Sequence, residues 1–374
     1  MKKGKVIYMD NAATRLGNKG IFNVNSPYAQ DAKEQFERAR FDIGRQLNIN
    51  PERIFFTSGG CEANSWALQR CGCKNIITTK IEHPSIMKCC KYLSDHGYSV
   101  TYLDVDHQGL INPLDLDEAL RKNTLAPTLV SIMCVNNEIG CVQDLKEIRK
   151  IIDKHNTYRE KASTETMTDF AEPIYLHSDC VQAVGQVDIP VECLDMMSAS
   201  GHKFSNEAGV GFLYSRIPLE PLIFGGSQEK GLRGGTSNYM GVVNMANSLK
   251  MKTYDDYYKS HIRAMKKYLR EQISNNFDCI FNTPEDSQSS ILSVSFRYID
   301  AEKLMIYLFG YNIFVSAGSA CSTDHKEISH VIRAIDLPED YVHGTIRFSL
   351  SEFIGTQHID TVVQKIKEFV RASE

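Results

Sequence analysis

Lys203 closes the turn Ser200-Gly201-His202-Lys203, and Asp179 stands one predicted strand upstream, in His177-Ser178-Asp179-Cys180. An amine and an acid at the ends of neighbouring strands suit pyridoxal phosphate: the lysine carries the aldehyde and the aspartate faces the pyridine nitrogen. Three further groups carry chemistry of their own. His83 precedes Pro84 at the end of a predicted strand. The turn Ser58-Gly59-Gly60-Cys61-Glu62 lies between a predicted strand and a helix, where unpaired backbone N–H groups can receive an anion. Asn136-Asn137-Glu138-Ile139-Gly140 follows a long apolar run, and amides there can hydrogen-bond a ligand or only stabilise the turn. Taken singly, each has an ordinary reading: a βα turn, an exposed histidine, turn chemistry.

The elements that must position these groups alternate in type. Strands are predicted at 5–9, 54–57, 75–79, 100–103, 129–135, 174–177, 194–199 and 209–214. Ala32, Phe36, Ala39, Ile43 and Leu47 mark a helix over 29–47 by their three- and four-residue spacing, and further helices are predicted at 63–68, from Pro84, at 117–121 and at 145–155. Residues 156–169, rich in Thr, Glu and Lys and without apolar period, read as an exposed loop. Such alternation implies α/β architecture with a mainly parallel sheet, whose ligands gather beyond the carboxyl ends of the strands. Every polar group named so far falls on that edge.

From about residue 251 the texture changes. A Lys- and Tyr-rich helix is expected over 251–273, then a β-type run at 291–296 and a helix at 301–309. A small-residue loop, 316–323, holds Cys321 and precedes a strand at 345–349. Ile359, Val362, Val363, Ile366 and Val370 give a last amphipathic helix. The expected division is a large domain over 16–250 and a smaller α+β domain from 1–15 with 251–374. Gly225-Gly226 and Arg233-Gly234-Gly235-Thr236 supply a second glycine-rich stretch able to contact an anion.

Composition excludes several classes. A net charge of −4 over 374 residues provides no basic field for nucleic acid. The N-terminus has lysines but lacks the apolar stretch of a signal peptide, and no run is long enough to span a bilayer, so the expectation is a cytoplasmic protein without membrane contact. Eleven cysteines, an odd number without framework spacing, fit a reducing compartment, and no His/Cys cluster has zinc-site spacing, so no metal is expected.

In this order, Asp10-Asn11-Ala12-Ala13-Thr14, Phe56-Thr57-Ser58-Gly59, Glu82-His83, Val135 to Gly140, His177-x-Asp179-x-x-Gln182, Ser200 to Lys203, Arg233-x-Gly-Thr236, Gly318 to Cys321 and Ile346 to Ser349 resemble a cysteine desulfurase of the NifS/IscS type. That group lies in the class V branch of the fold-type I pyridoxal-phosphate enzymes, with a large domain built on a mainly parallel, seven-stranded-type sheet and a smaller α+β domain. The resemblance covers nearly the whole chain. It implies that Lys203 binds the cofactor's aldehyde and shuttles the Cα proton, that His83 stacks on the ring and assists proton transfer, that Asp179 keeps the ring nitrogen protonated and that Gln182 contacts the phenolic oxygen. Gly60, Cys61, Ser200 and His202 hold the phosphate, with Thr236 reaching in from the second subunit of a homodimer. Asn11, Ala12, Asn137 and Arg347 meet the substrate, Arg347 gripping its carboxylate. Cys321 attacks the sulfur of L-cysteine, becomes a persulfide and leaves alanine; a sulfur-acceptor protein, as in iron–sulfur cluster assembly, follows.

Two departures from the family pattern stand near these groups. Cys61 occupies the place of a threonine, so a weak thiol donor replaces a hydroxyl. The segment between Thr14 and Asn25 is shorter than the family norm. Within the same chemistry a selenocysteine lyase or another carbon–sulfur lyase shares these handles, and a catalytically degenerate partner-binding relative is the alternative of a different class.

Overall fold

The computed structural model describes residues 8–15, 23–26, 29–122, 126–166, 173–205, 207–253, 256–317 and 328–373. The first helix, α1 (Gln30–Leu47), buries Ala32, Phe36, Ala39 and Ile43 on one stripe and stops at Asn48, whose φ of 54° satisfies the helix end. A seven-stranded sheet then assembles from β1 (Ile54–Thr57), β2 (Asn75–Thr79), β3 (Ser99–Leu103), β4 (Thr128–Ser131), β5 (Ile174–Asp179), β6 (Met196–Ser200) and β7 (Gly211–Ser215), in the spatial order β1-β7-β6-β5-β4-β2-β3. The five strands from β6 to β3 are parallel, and β7 runs against both of its neighbours. Strands β1, β4, β6 and β7 are buried along their whole length, which explains apolar runs where a one-sided sheet would alternate.

Helices connect the parallel strands: α2 (Gly60–Arg70), α3 (Pro84–Asp95), α4 (Pro113–Lys122) and α5 (Leu145–Thr166), with α6 (Tyr239–Thr253) packed on α1 after the sheet is complete. The sequence places most of these correctly, with informative differences. Helix α2 starts at Gly60 rather than residue 63, so Gly60 and Cys61 belong to its first turn. The apolar run 129–135 is a ladder strand only to Ser131, although Ile132 and Cys134 still donate to His177 and Asp179 of β5.

The expected loop at 156–169 is helical as far as Thr166. Its polar sequence is held by contacts that periodicity cannot reveal. The Asn156 side chain takes both the N–H and the carbonyl of Ile174, at 2.9 and 3.1 Å, and Arg159 is buried and donates to the carbonyl of Ala126.

A second sheet follows α7 (Asp256–Ser274). It consists of β8 (Cys279–Phe281), β9 (Ile291–Phe296), β10 (Ser316–Ala317) and β11 (Thr345–Ser349), antiparallel throughout in the order β10-β11-β9-β8, with α8 (Ala301–Phe309), α9 (His330–Ala334), α10 (Glu339–Val342) and α11 (Thr356–Ser373) around it. The single helix expected over 251–273 is thus the end of α6 and the separate α7, and β8 adds a strand that the sequence reading lacks. Leu292, Val294, Leu304, Ile346, Ile359, Val363 and Ile366 form the core of this region, distinct from the cores on the two faces of the larger sheet. The predicted strand at 5–9 falls mostly outside the described residues, as does Cys321. Among the described residues, no helix is long and apolar enough to cross a membrane and no acid, His or Cys cluster could hold a metal ion.

Candidate active site

The carboxyl ends of β2, β4, β5 and β6 and the start of α2 surround a cavity of about 210 Å³. Of the residues singled out in the sequence, Gly60, Cys61, His83, Asn137, Asp179, Gln182, Ser200, His202 and Lys203 line it, and Arg347 closes it from β11 of the second sheet. Asn11 and Ala12 lie in an exposed turn and Thr236 is exposed; none of the three belongs to the lining. Asn64, Ser85, Met133 and Val181 complete the wall without having been picked out, together with Val135 from the start of the Val135–Gly140 motif. Asn64 was findable: it lies four residues after Gly60, on the same helix face.

Asp179 ends β5 and is buried. Its Oδ1 accepts from the N–H of Val181 at 2.9 Å and its Oδ2 from the Asn64 amide at 2.6 Å. Burial pushes this carboxyl above its ordinary value, while those two donors and the nearby His83 and Lys203 pull it back. The same Asn64 amide donates to Ser85 Oγ at 2.9 Å, and Ser85 Oγ lies 2.8 Å from His83 Nδ1. The N–H of Ser85 also donates to Nδ1, at 3.1 Å, because His83 is the N-cap of α3 and Pro84 its first residue. Nδ1 is therefore an acceptor and the ring proton sits on Nε2. Burial lowers the His83 pKa, which favours the neutral ring.

At the other end of the cavity, the first turn of α2 has no side-chain cap, and Gly59 and Gly60 bring its backbone close to β5 and β6. A Cβ on Gly60 would meet Val181 Cγ2 at 2.7 Å, so any larger residue there would force Val181 to shift. Ser200 Oγ lies 2.9 Å from His202 Nδ1 beside that turn. Arg233 forks onto Glu62 at 2.8 and 3.1 Å, tying the second glycine-rich stretch to the start of α2. The backbone N–H groups of the first turn of α2, a hydroxyl and an imidazole converge there, a setting suited to an anion.

Lys203 follows β6 in a short 3-10 turn and is exposed in the cavity. Across from it, Arg347 donates to the carbonyl of Asn137 at 2.7 Å and to Ser316 Oγ at 3.1 Å. Behind His83 stands the carboxyl of its chain neighbour, Glu82. Glu82 is fully buried; its Oε1 accepts from Met133 N–H and Thr79 Oγ1, its Oε2 has no hydrogen-bond partner among the described residues, and burial pushes it up to about 8.

An acid, a lysine, an imidazole, an anion cradle and a guanidinium thus face one space. The sequence matches the aminotransferase class-V family over residues 7–160 and 162–362. It is 33% identical to cysteine desulfurase IscS of Methanosarcina thermophila, over 99% of this chain and 93% of that one. It is 35% identical to the mitochondrial cysteine desulfurase of Candida albicans, over 92% of this chain and 69% of the other. Among solved structures, a NifS-like protein superposes with a TM-score of 0.82 at 31% identity, covering 93% of this chain and 91% of its own.

Proposed function

Because the chain belongs to the aminotransferase class-V family, we infer that it is a pyridoxal phosphate-dependent cysteine desulfurase, converting L-cysteine to L-alanine and transferring the sulfur to an enzyme cysteine as a persulfide. The residues around the cavity fit that cofactor. Asp179 is a buried carboxyl bonded only to neutral donors, a setting that a protonated ring nitrogen would complete, and the uncapped turn of α2 fits a phosphate. Bound there, the cofactor supplies an electron sink for charge developing at the substrate's Cα.

The remaining work falls to this chain's own side chains. Lys203 holds the aldehyde carbon and moves the proton at Cα. His83 would cover the ring and offer its Nε2–H for proton transfer, and Gln182 would meet the phenolic oxygen. The first turn of α2 at Gly60 and Cys61, Ser200 and His202 receive the phosphate, joined by the partner subunit's Thr236 in a homodimer. Arg347 takes the substrate carboxylate with two parallel hydrogen bonds, and Asn137, Asn11 and Ala12 orient the substrate. The Cys321 thiolate attacks the substrate sulfur; the C–S bond breaks, the carbon keeps the electron pair and takes up a proton, and alanine leaves.

On the same reading the protein has a large domain over 16–250 and a small domain from 1–15 and 251–374 that carries Cys321 and Arg347. It acts in the cytoplasm and hands its persulfide to an acceptor protein, as in iron–sulfur cluster assembly. The observation that carries the reading is the convergence of Lys203, Asp179, His83 and Arg347, from four separate segments and two sheets, on one cavity.

A single turnover with L-cysteine tests it. One equivalent of alanine and a persulfide on Cys321 are expected; Cys321→Ser should keep the cofactor's absorption band and form no persulfide. Sulfide release at the full rate by Cys321→Ser would refute the thiolate step, and a Lys203→Ala protein with an unaltered band would refute the cofactor assignment.

A further inference from the structure

The turn 136–140 is closed on itself and open toward the second sheet. Asn136 Oδ1 accepts from the N–H groups of Glu138 and Ile139 at 2.8 and 2.9 Å, which consumes the turn's inner donors. The Asn136 carbonyl accepts the Gly140 N–H within the turn, whereas the carbonyls of Asn137, Ile139 and Gly140 are taken by side chains from beyond residue 280. Asn137 O accepts from Arg347, Ile139 O from Thr283 Oγ1 at 2.6 Å, and Gly140 O from both Ser287 Oγ at 2.6 Å and Ser289 Oγ at 2.8 Å. Glu138 Oε2 accepts from Ser329 Oγ at 2.6 Å. Contact at the doubly bonded carbonyl is tight: a Cβ on Gly140, whose φ is 70°, would lie 2.7 Å from Ser289 Oγ and 2.9 Å from Ile291 Cβ.

The two serines are themselves fixed from behind. Lys266 of α7, buried, donates to the carbonyls of Ser287 and Ser289, and the hydroxyls of those serines lie 3.0 Å apart. Burial lowers the Lys266 amine to about 8 against the pull of the Asp286 carboxylate, and its two hydrogen bonds to these carbonyls offset part of that desolvation cost.

We propose that Ser287 and Ser289 are positioning residues for the carboxylate of an α-amino acid substrate: their joint grip on the Gly140 carbonyl sets the turn that carries Asn137 against the strand that carries Arg347. The inference rests on the assignment of Arg347 and Asn137 to the substrate carboxylate. Arg347 already bonds the main chain of Asn137, so the guanidinium and the amide move as one unit when the turn is held and lose their mutual register when it is not. The turn also touches the segment of His83, through the Asn136 amide on the Ile81 carbonyl at 2.8 Å, so an effect confined to substrate binding is the outcome that the proposal requires.

The test uses the full-length holoenzyme carrying Ser287→Ala with Ser289→Ala. Loss of hydrogen bonds to a buried carbonyl should raise KM for L-cysteine by about fivefold to tenfold, with kcat changed less than about twofold. The equilibrium dissociation constant of L-alanine, read from the cofactor's absorption spectrum, should weaken by the same factor while the cofactor's own dissociation constant stays put. Each single variant keeps one hydroxyl on Gly140 and should fall between. A folded double variant with unchanged KM and L-alanine affinity overturns the proposal, as does a parallel loss of cofactor affinity, which would mean general loosening. If the double variant does not fold, unchanged L-alanine affinity in both single variants overturns it equally. Arg347→Gln separates the two levels of the argument. Unchanged KM there removes the carboxylate assignment itself, whereas a raised KM there with no effect of the serine variants removes only the grip.

Discussion

Arg347 of β11 reaches across to the large sheet and donates to the main-chain carbonyl of Asn137 at 2.7 Å. One nitrogen of its fork is thereby anchored, and another lies 3.1 Å from Ser316 Oγ, so the planar group is held in a fixed attitude at the cavity wall. A lysine cannot reproduce that geometry, since its point charge lacks the fork. Arg347→Lys should therefore raise KM for L-cysteine by about tenfold, equivalent to roughly 1.4 kcal/mol, with the cofactor's absorption band unchanged. Steady-state kinetics with a spectrum of the same sample decides it.

Cys61 stands exposed in the first turn of α2, where a hydroxyl would donate to a phosphate better than a thiol. Hydrogen bonds to charged groups contribute roughly 1.5–3 kcal/mol, part of which the backbone N–H groups already supply. Cys61→Thr should tighten cofactor binding by about tenfold in a titration of apo-protein. Equal affinity would show that the backbone alone sets retention.

Glu82 gives a pH signature. Its carboxyl, pushed by burial from an ordinary 4.5 to about 8, binds a proton more readily folded than unfolded. Its contribution to stability is complete below about pH 4.5 and is lost as pH rises to about 8. Glu82→Gln keeps the shape and removes the titration. The melting temperature of the parent should therefore fall relative to the glutamine variant across that window; a constant difference between the two would show that Glu82 is ionised throughout.

Asn156 joins α5 to β5 by satisfying both main-chain groups of Ile174. Asn156→Ala leaves a donor and an acceptor at the sheet margin without their partner, which should cost about 1–2 kcal/mol. Chemical denaturation measures this, with the cofactor spectrum of the folded state unaffected because the contact lies at the far end of the strand.

Much of the large sheet was legible because its strands are buried and short, and because turns such as the one before Pro84 carry their own signal. The expected strands at 54–57 and 75–79 coincide with β1 and β2, and Asp179 stands at the end of β5 as the pattern required. What escaped was whatever long-range contact decides. Residues 156–166 are polar enough to read as loop, and contacts such as those to Ile174 and Ala126, which no periodicity reveals, hold them as helix. β8 is three half-buried residues whose identity as a strand depends on β9. In the site, the lining residues Asp179, His83 and Lys203 could be nominated by type and position, but the relay through Asn64 and Ser85 and the grip of Ser287 and Ser289 on Gly140 join segments that no spacing rule relates.

The antiparallel β7 has a consequence for how the chain is made. Among the described residues, β1 occupies the edge of the sheet and pairs with β7 alone, Ile54 opposite Tyr214 and Thr57 opposite Gly211. During synthesis the nascent chain therefore exposes β1 long before its one partner leaves the ribosome, and the start of α2 that follows it cannot take its final place until that pairing closes. The anion cradle thus hangs on the strand pairing with the largest sequence separation in the large sheet.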